Sequence, residues 1–314
     1  MPIKIPNDLP ASKILKEENI FVMDETRALS QRIRPLKLII VNIMPTKIVT
    51  ETQLLRLLSN TPLQIEVDWL CMESHNSKNT SQEHLMEFYK TFNEIKDNKY
   101  DGLIVTGAPV EKLKFEDVDY LNELTNIFDW ANTNVFSSFF ICWASQASLY
   151  YYYGVEKYQL KEKLTGVYHH HTNPEKMRRR ILRGFDYQFY APHSRYTAVK
   201  KEDIEKIDSL DILASSNDAG VYLVAEKDGS RFFVTGHPEY DPDTLDKEYH
   251  RDLAKGGDCV MPKNYYKNDD VNDEILVKWR SHAYLLFSNW LNYYVYQNTP
   301  YNLDDLLKMK NNHF

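Results

Sequence analysis

Cysteine is scarce: Cys71, Cys142 and Cys259 are the only three in 314 residues, far apart and without C-x-x-C spacing. That pattern predicts neither a disulfide framework nor a structural zinc site, and free thiols suit a reducing compartment. Positive charge is not in excess either. With a formal net charge of −7, nothing in the balance points to nucleic acid or an anionic membrane as partner. No apolar run is long enough to span a bilayer. The opening "MPIKIPNDLPASKILKEEN" lacks the apolar core of a signal peptide. These absences predict a cytoplasmic protein that retains its N-terminus. Neither an internal repeat nor a low-complexity linker divides the chain, so residues 1–314 read as one domain with embellishments at both ends.

What is present is an alternation of strand-like and helix-like segments. "LKLIIVNIM" (36–44) is a continuous apolar run, expected of a central parallel strand covered on both faces. "TETQLLRLLSN" (50–60) has leucines at helical spacing, and "LQIEVDWLC" (63–71) alternates like a strand. Thr80 and Glu83 have capping-box spacing ahead of a predicted helix over 84–97. Strand "DGLIVTGAP" (101–109), helix 118–132 and strand "VFSSFFIC" (135–142) follow. The order predicts a doubly wound, mostly parallel α/β sheet. Further on, 221–237 reads as a hairpin turning near Asp228-Gly229. Residues 241–256 read as a helix capped by Asp241, with Pro242 at its first position and Gly256 at its stop. The aromatic-rich stretch 275–297 reads as a long amphipathic helix suited to packing or a subunit contact.

Within "SSFFICWASQASLYYYYG" (137–154), Cys142 falls where the strand pattern turns helical, with the helix beginning at about Ala144. Ligands and catalytic groups collect at the carboxyl ends of parallel strands. The amides at a helix N-terminus stabilise a thiolate there. The backbone N–H of Trp143 is positioned for an oxyanion, as in a nucleophile elbow. "VTGHPEYDPDTL" (234–245) sets His237 and Glu239 just past another predicted strand. Two residues apart on an extended segment, imidazole and carboxylate face the same side and supply a base and its orienting group. This is Cys-His-Glu machinery of the class I glutamine-amidotransferase type. The usual G-x-C-x-G elbow, however, is replaced by Phe140 and Ala144. "YHHHT" (168–172) does not read as a metal site, because consecutive imidazoles cannot share one face and no Cys, Asp or Glu completes a zinc spacing nearby.

Longer stretches carry a closer resemblance. "IRPLKLIIVNIMPTKIVTETQLLRLLSNTPLQIEV", "DGLIVTGAPVE", "ICWASQA", "APHSRY", "GHPEYDPDTLDKEYHRD" and "WRSHAYLLFSNWLNYYVYQNTPY" resemble the homoserine O-acyltransferases of methionine biosynthesis. The likeness runs in order from the first residues to about 302. It implies a class I glutamine-amidotransferase-like, flavodoxin-like fold and one catalytic acyltransferase domain. It also implies a ping-pong reaction in which a cysteine takes an acyl group from acyl-CoA and passes it to the homoserine hydroxyl. By matching motifs, Cys142 is the nucleophile, His237 the base and Glu239 its orienting carboxylate. Arg251 in "EYHRD" is the ligand of the homoserine carboxylate, a role suited to a guanidinium fork. Lys163 and Ser194 match the other substrate contacts, and Lys47 in "MPTK" lies close to the expected site. Glu111, just after "TGAPV", matches the position that sets the donor. A carboxylate there repels the free carboxylate of succinyl-CoA and tolerates acetyl-CoA, because like charges sheltered from water interact strongly. The resemblance also points to a homodimer, with acetyl-CoA as co-substrate and no bound cofactor or metal. Succinyl-CoA as donor is the near alternative. A glutaminase or thiol hydrolase on the same scaffold, and a flavodoxin-like small-molecule sensor, are the rivals of other classes.

Overall fold

The computed structural model describes residues 3–6, 9–17, 23–24, 34–74, 79–256 and 259–306. Parts of the N-terminal and C-terminal extensions lie outside the described residues. Within them, twelve strands form one sheet. They are β1 (Ile3–Ile5), β2 (Met23–Asp24), β3 (Leu36–Val41), β4 (Ile65–Leu70), β5 (Tyr89–Lys90) and β6 (Tyr100–Val105). Next come β7 (Val135–Ile141), β8 (Lys157–Thr172), β9 (Gln188–Val199), β10 (Leu210–Ser216), β11 (Gly220–Glu226) and β12 (Arg231–Val234). The order is β2-β1-β4-β3-β6-β7-β12-β11-β10-β8-β9, with β5 beside β4. From β2 to β12 every pairing is parallel, and from β12 to β9 every pairing is antiparallel.

The apolar runs become central strands because both faces of the sheet are covered. Phe139 on one face of β7 packs against Phe287 and Trp290, with ring centroids 5.1 and 5.4 Å away. Its neighbour Phe140 points the other way, onto Phe128 and Phe233 at 5.4 Å each. Helices Lys47–Leu58 and Arg280–Trp290 line the first face, and Leu121–Asn134 and Trp143–Tyr153 the second. Burying such a ring contributes about 1.5–3 kcal/mol.

Several local expectations change. The helix expected over 84–97 is two: Gln82–Phe88 and Phe92–Ile95. Its cap is Ser81, whose hydroxyl accepts from the His84 amide, and the capping box belongs to Thr91 and Glu94. Between them Tyr89–Lys90 is drawn onto the edge of β4, where the Tyr89 hydroxyl reaches Glu51 at 2.7 Å and Lys90 reaches Asp68 at 2.7 Å. The helix expected from Asp241 starts at Thr244 with Asp243 at the cap, since the Asp241 carboxylate is engaged by Arg56 at 2.5 Å. The C-terminal helix begins only at Arg280, and its last turn, Leu291–Tyr296, widens to π geometry. The hairpin near Asp228-Gly229 forms as expected, between β11 and β12.

Candidate active site

The carboxyl ends of β3, β6, β7 and β12 open on one cavity of about 600 Å³. Its floor is the turn after β7. Cys142 ends the strand with φ +50°, a left-handed conformation that a non-glycine residue adopts only when its surroundings impose it. Two hydrogen bonds impose it here: the Cys142 amide donates to Val234 O (2.7 Å), and the Ser145 hydroxyl donates to Cys142 O (2.6 Å). Trp143 is the first residue of the following helix, so its N–H lies outside the i→i−4 ladder.

The register of β7 with β12, Ile141 opposite Val234, sets His237 across from the sulfur. The imidazole Nδ1–H donates to Glu239 Oε1 at 2.6 Å, which leaves Nε2 for Cys142. Tyr240 stacks on the ring with centroids 4.1 Å apart. Burial works against the imidazolium, but the Cys142 sulfur and then Glu239 outweigh it, and the His237 pKa is held well above the ordinary range. Gly107, after β6, makes room for the pair. A Cβ there would lie 3.2 Å from His237 Cε1 and 3.3 Å from Cys142 Cβ.

The walls come from both parts of the sheet. On one side the loop after β6 brings Glu111 to the cavity. Burial raises its carboxyl pKa, against the opposing pull of its own backbone amide and of His237 and Lys163. Lys157 pins this loop by donating to Glu111 O (2.9 Å) and Leu113 O (2.6 Å). On the other side stand β8, β9 and the helix Thr244–Ala254. Lys163 lies where the β8–β9 ladder is interrupted, and its ammonium bonds Asp252 at 2.7 Å and faces Glu248 at 3.5 Å. Ser194 donates to Glu248 Oε2 (2.5 Å) and the Tyr240 hydroxyl to Oε1 (2.9 Å). Arg251 lines the same wall, half-exposed, with Nε and Nη2 on Asp252 Oδ1 at 3.0 and 2.8 Å.

Of the nine residues singled out in the sequence, Glu111, Cys142, Lys163, Ser194, His237 and Arg251 line this cavity, Trp143 follows Cys142 at the turn beneath it, and Glu239 stands behind His237. Lys47 does not line it. Its ammonium turns away to donate to Asn42 O at 2.5 Å, beside a smaller cavity it shares with Cys71, and burial lowers its pKa to about 8. Glu248, Asp252, Tyr196 and Tyr240 are wall residues that sequence reading passed over. Their signal was available: Glu248, Arg251 and Asp252 have i, i+3, i+4 spacing on one helix. In "YHHHT", His170 points inward and stacks on His193, while the His169 and His171 rings lie 4.7 Å apart on the other face. No group of three or more potential metal ligands occurs among the described residues.

A profile of the homoserine O-succinyltransferase family matches residues 2–301. The chain belongs to that family. It is 72% identical to a homoserine O-acetyltransferase of Catenibacterium mitsuokai, over 99% of this chain and 100% of that one. It is 60% identical to another of Petrotoga mobilis, over 98% of each chain. Among solved structures, a glutamine amidotransferase from Thermotoga maritima superposes with a TM-score of 0.53 at 11% identity, covering 82% of this chain and 98% of that one. At that identity the likeness shows the fold alone, the class I glutamine-amidotransferase-like architecture expected from the sequence. No helix among the described residues is long and apolar enough to cross a membrane.

Proposed function

We propose that this chain transfers an acetyl group from acetyl-CoA to the hydroxyl of L-homoserine, through a thioester on Cys142. The observation that carries the reading is the elbow. A cysteine with φ +50° at a strand end faces a histidine already oriented by Glu239, at the base of a cavity with a carboxylate-bearing wall and a guanidinium-bearing wall. The Cys142 thiolate adds to the thioester carbonyl, and the oxyanion takes the Trp143 N–H. Collapse breaks the bond to the CoA sulfur, which leaves with the proton from His237. In the second half-reaction His237 takes the proton of the homoserine hydroxyl as its oxygen attacks the acyl-cysteine. O-acetylhomoserine leaves and the thiolate returns.

Glu111 fills the donor wall and repels a second carboxylate there, which favours acetyl over succinyl donors. Arg251 receives the homoserine carboxylate on its remaining N–H edge, with Lys163 and Ser194 beside it. The reading carries with it a cytoplasmic enzyme, acetyl-CoA as co-substrate rather than a bound cofactor, and a homodimer as its assembly.

Intact-protein mass after mixing with acetyl-CoA or succinyl-CoA, before and after homoserine, tests the reading. The expected result is an acetyl adduct on Cys142 that homoserine discharges. A succinyl adduct in its place overturns the role given to Glu111. Full activity in Cys142→Ser overturns the nucleophile.

A further inference from the structure

The smaller cavity, of about 220 Å³, lies past the ends of β3 and β4. It has Met44, Pro45, Pro109 and Val110 in common with the cavity that holds the reacting groups. Those four residues, two from the turn after β3 and two from the loop after β6, form the partition between the two spaces.

Met44 is the part of that partition nearest the chemistry. The point where a Cβ would stand on Gly107 is 3.3 Å from Cys142 Cβ, 3.2 Å from His237 Cε1 and 3.7 Å from Met44 Sδ. The thioether thus faces nucleophile and base across the bare backbone of Gly107. Its own backbone is held in place. The Met44 amide donates to Asn42 Oδ1 (3.2 Å), and the Ile43 amide donates to the Thr106 hydroxyl (2.8 Å). An unbranched, apolar side chain is well suited to plugging an irregular gap of this kind.

Beyond Met44 the walls are mainly apolar, with Ile43, Met72, Leu85 and Tyr120 among them. The polar groups Asn42 and Lys47 are engaged elsewhere: Asn42 Nδ2 donates to the Tyr89 hydroxyl (2.8 Å), and the Lys47 ammonium donates to Asn42 O (2.5 Å). Glu111 lines only the first cavity. An apolar cavity of about 150 Å³ accepts a six-carbon ring, so the smaller cavity has room for carbons that an acetyl group lacks.

We propose that Met44 sets the length of the acyl group. The second cavity is then the chamber that an apolar chain of about four to six carbons enters once Met44 is shortened. The inference rests on the reading of Cys142 as the acyl carrier and leaves the covalent step as it is. The Cys142 sulfur bonds the acyl carbon, the bond to the CoA sulfur breaks, and that sulfur leaves with the His237 proton.

The experiment measures kcat/KM for hexanoyl-CoA and for acetyl-CoA, with homoserine as acceptor, and the mass of the acyl-enzyme formed with each. It compares wild type, Met44→Ala and the double variant Met44→Ala/Cys71→Phe. Cys71 lines the second cavity and not the first, so a phenyl ring there fills the chamber from its far side. The hexanoyl-to-acetyl ratio is expected to rise about tenfold to a hundredfold in Met44→Ala and to return to within about threefold of wild type in the double variant. A ratio that Met44→Ala does not move, or that stays raised in the double variant, overturns the inference. Should Met44→Ala not fold, Met44→Val decides with butanoyl-CoA: a rise of about threefold or more supports the inference, and an unchanged ratio overturns it. A wild type that forms no acetyl-enzyme sinks the reading of Cys142 and this inference with it. Acetyl-enzyme in the wild type with an unaltered ratio in the variants sinks the inference alone.

Discussion

His237 owes its properties to two neighbours. One carboxylate oxygen of Glu239 takes its Nδ1–H, and the other is buried without a hydrogen-bond partner. The full carboxylate charge is therefore directed at the imidazole. Glu239→Gln keeps the shape, loses the charge and should lower kcat/KM roughly a hundredfold to ten-thousandfold. The sign of the pH dependence follows from linkage. The folded His237 pKa lies above its unfolded value, so its proton contributes stability that is complete below about pH 6.5 and lost as pH rises through the folded value. Denaturant melts of the glutamine variant should accordingly show a deficit at about pH 6.5 that narrows at alkaline pH. An equal deficit at both would mean that Glu239 acts through packing alone. At this scale the sequence was most readable. A strand-end cysteine and a His-Pro-Glu segment announce their chemistry by residue type and by distance from a predicted strand. The inward turn of Arg195, which is buried, was not readable, because nothing in "APHSRY" tells which of two adjacent polar residues faces the interior.

Among the elements, the long hairpin β8–β9 was the least legible. The first half of β8 is largely exposed and polar, "KYQLKEKL", so it has neither the continuous apolar run of a central strand nor a clean alternation. Its pairing is set by distant partners, β9 and β10, which no local pattern encodes. The helix mistaken as one over 84–97 failed for the same reason, since the edge of β4 outbid local propensity at Tyr89. The hairpin also anchors the wall that carries Arg251. Gly166 has φ +138°, and any Cβ there would collide with the Lys263 backbone. Lys263 bonds both sides of Gly166, through Val167 N (2.8 Å) and Thr165 O (3.1 Å). The following Tyr265 and Tyr266 hold Pro242 and Asp246, at the start of the helix Thr244–Ala254. Gly166→Ala should cost about 1–3 kcal/mol in denaturant unfolding. It should also raise the KM for homoserine while the rate of Cys142 alkylation stays at wild type. A matching loss of both would show that the glycine supports the whole site rather than one wall.

For the molecule as a whole, the parallel part of the sheet was predicted because each strand is buried on both faces and reads as apolar by itself. The antiparallel part was mostly missed, and it supplies Lys163, Ser194 and, through the helix it holds, Glu248, Arg251 and Asp252. The cavity is thus assembled from two topological halves joined at the β12–β11 pairing. The halves should separate in kinetics. Arg251→Ala is expected to form acetyl-enzyme at the wild-type rate and to need about ten- to a hundredfold more homoserine for its discharge, the loss of one charge-assisted contact. Quenched-flow mass measurement of each half-reaction checks it. Equal loss in both steps would remove Arg251 from the acceptor wall.

The join between those halves bears on how such an enzyme can change. The loop after β6, with Glu111, and the helix carrying Arg251 follow different strands, yet both lean on β8: Lys157 at its start pins the loop, and the Lys263 segment that supports the helix is bonded on either side of Gly166. The Lys157 contacts are made to the carbonyls of residues 111 and 113, so a change of side chain at 111 that admits a new acyl donor leaves that shared anchor in place. Selection can exchange one partner of the reaction at a time, with the nucleophile between them unaltered.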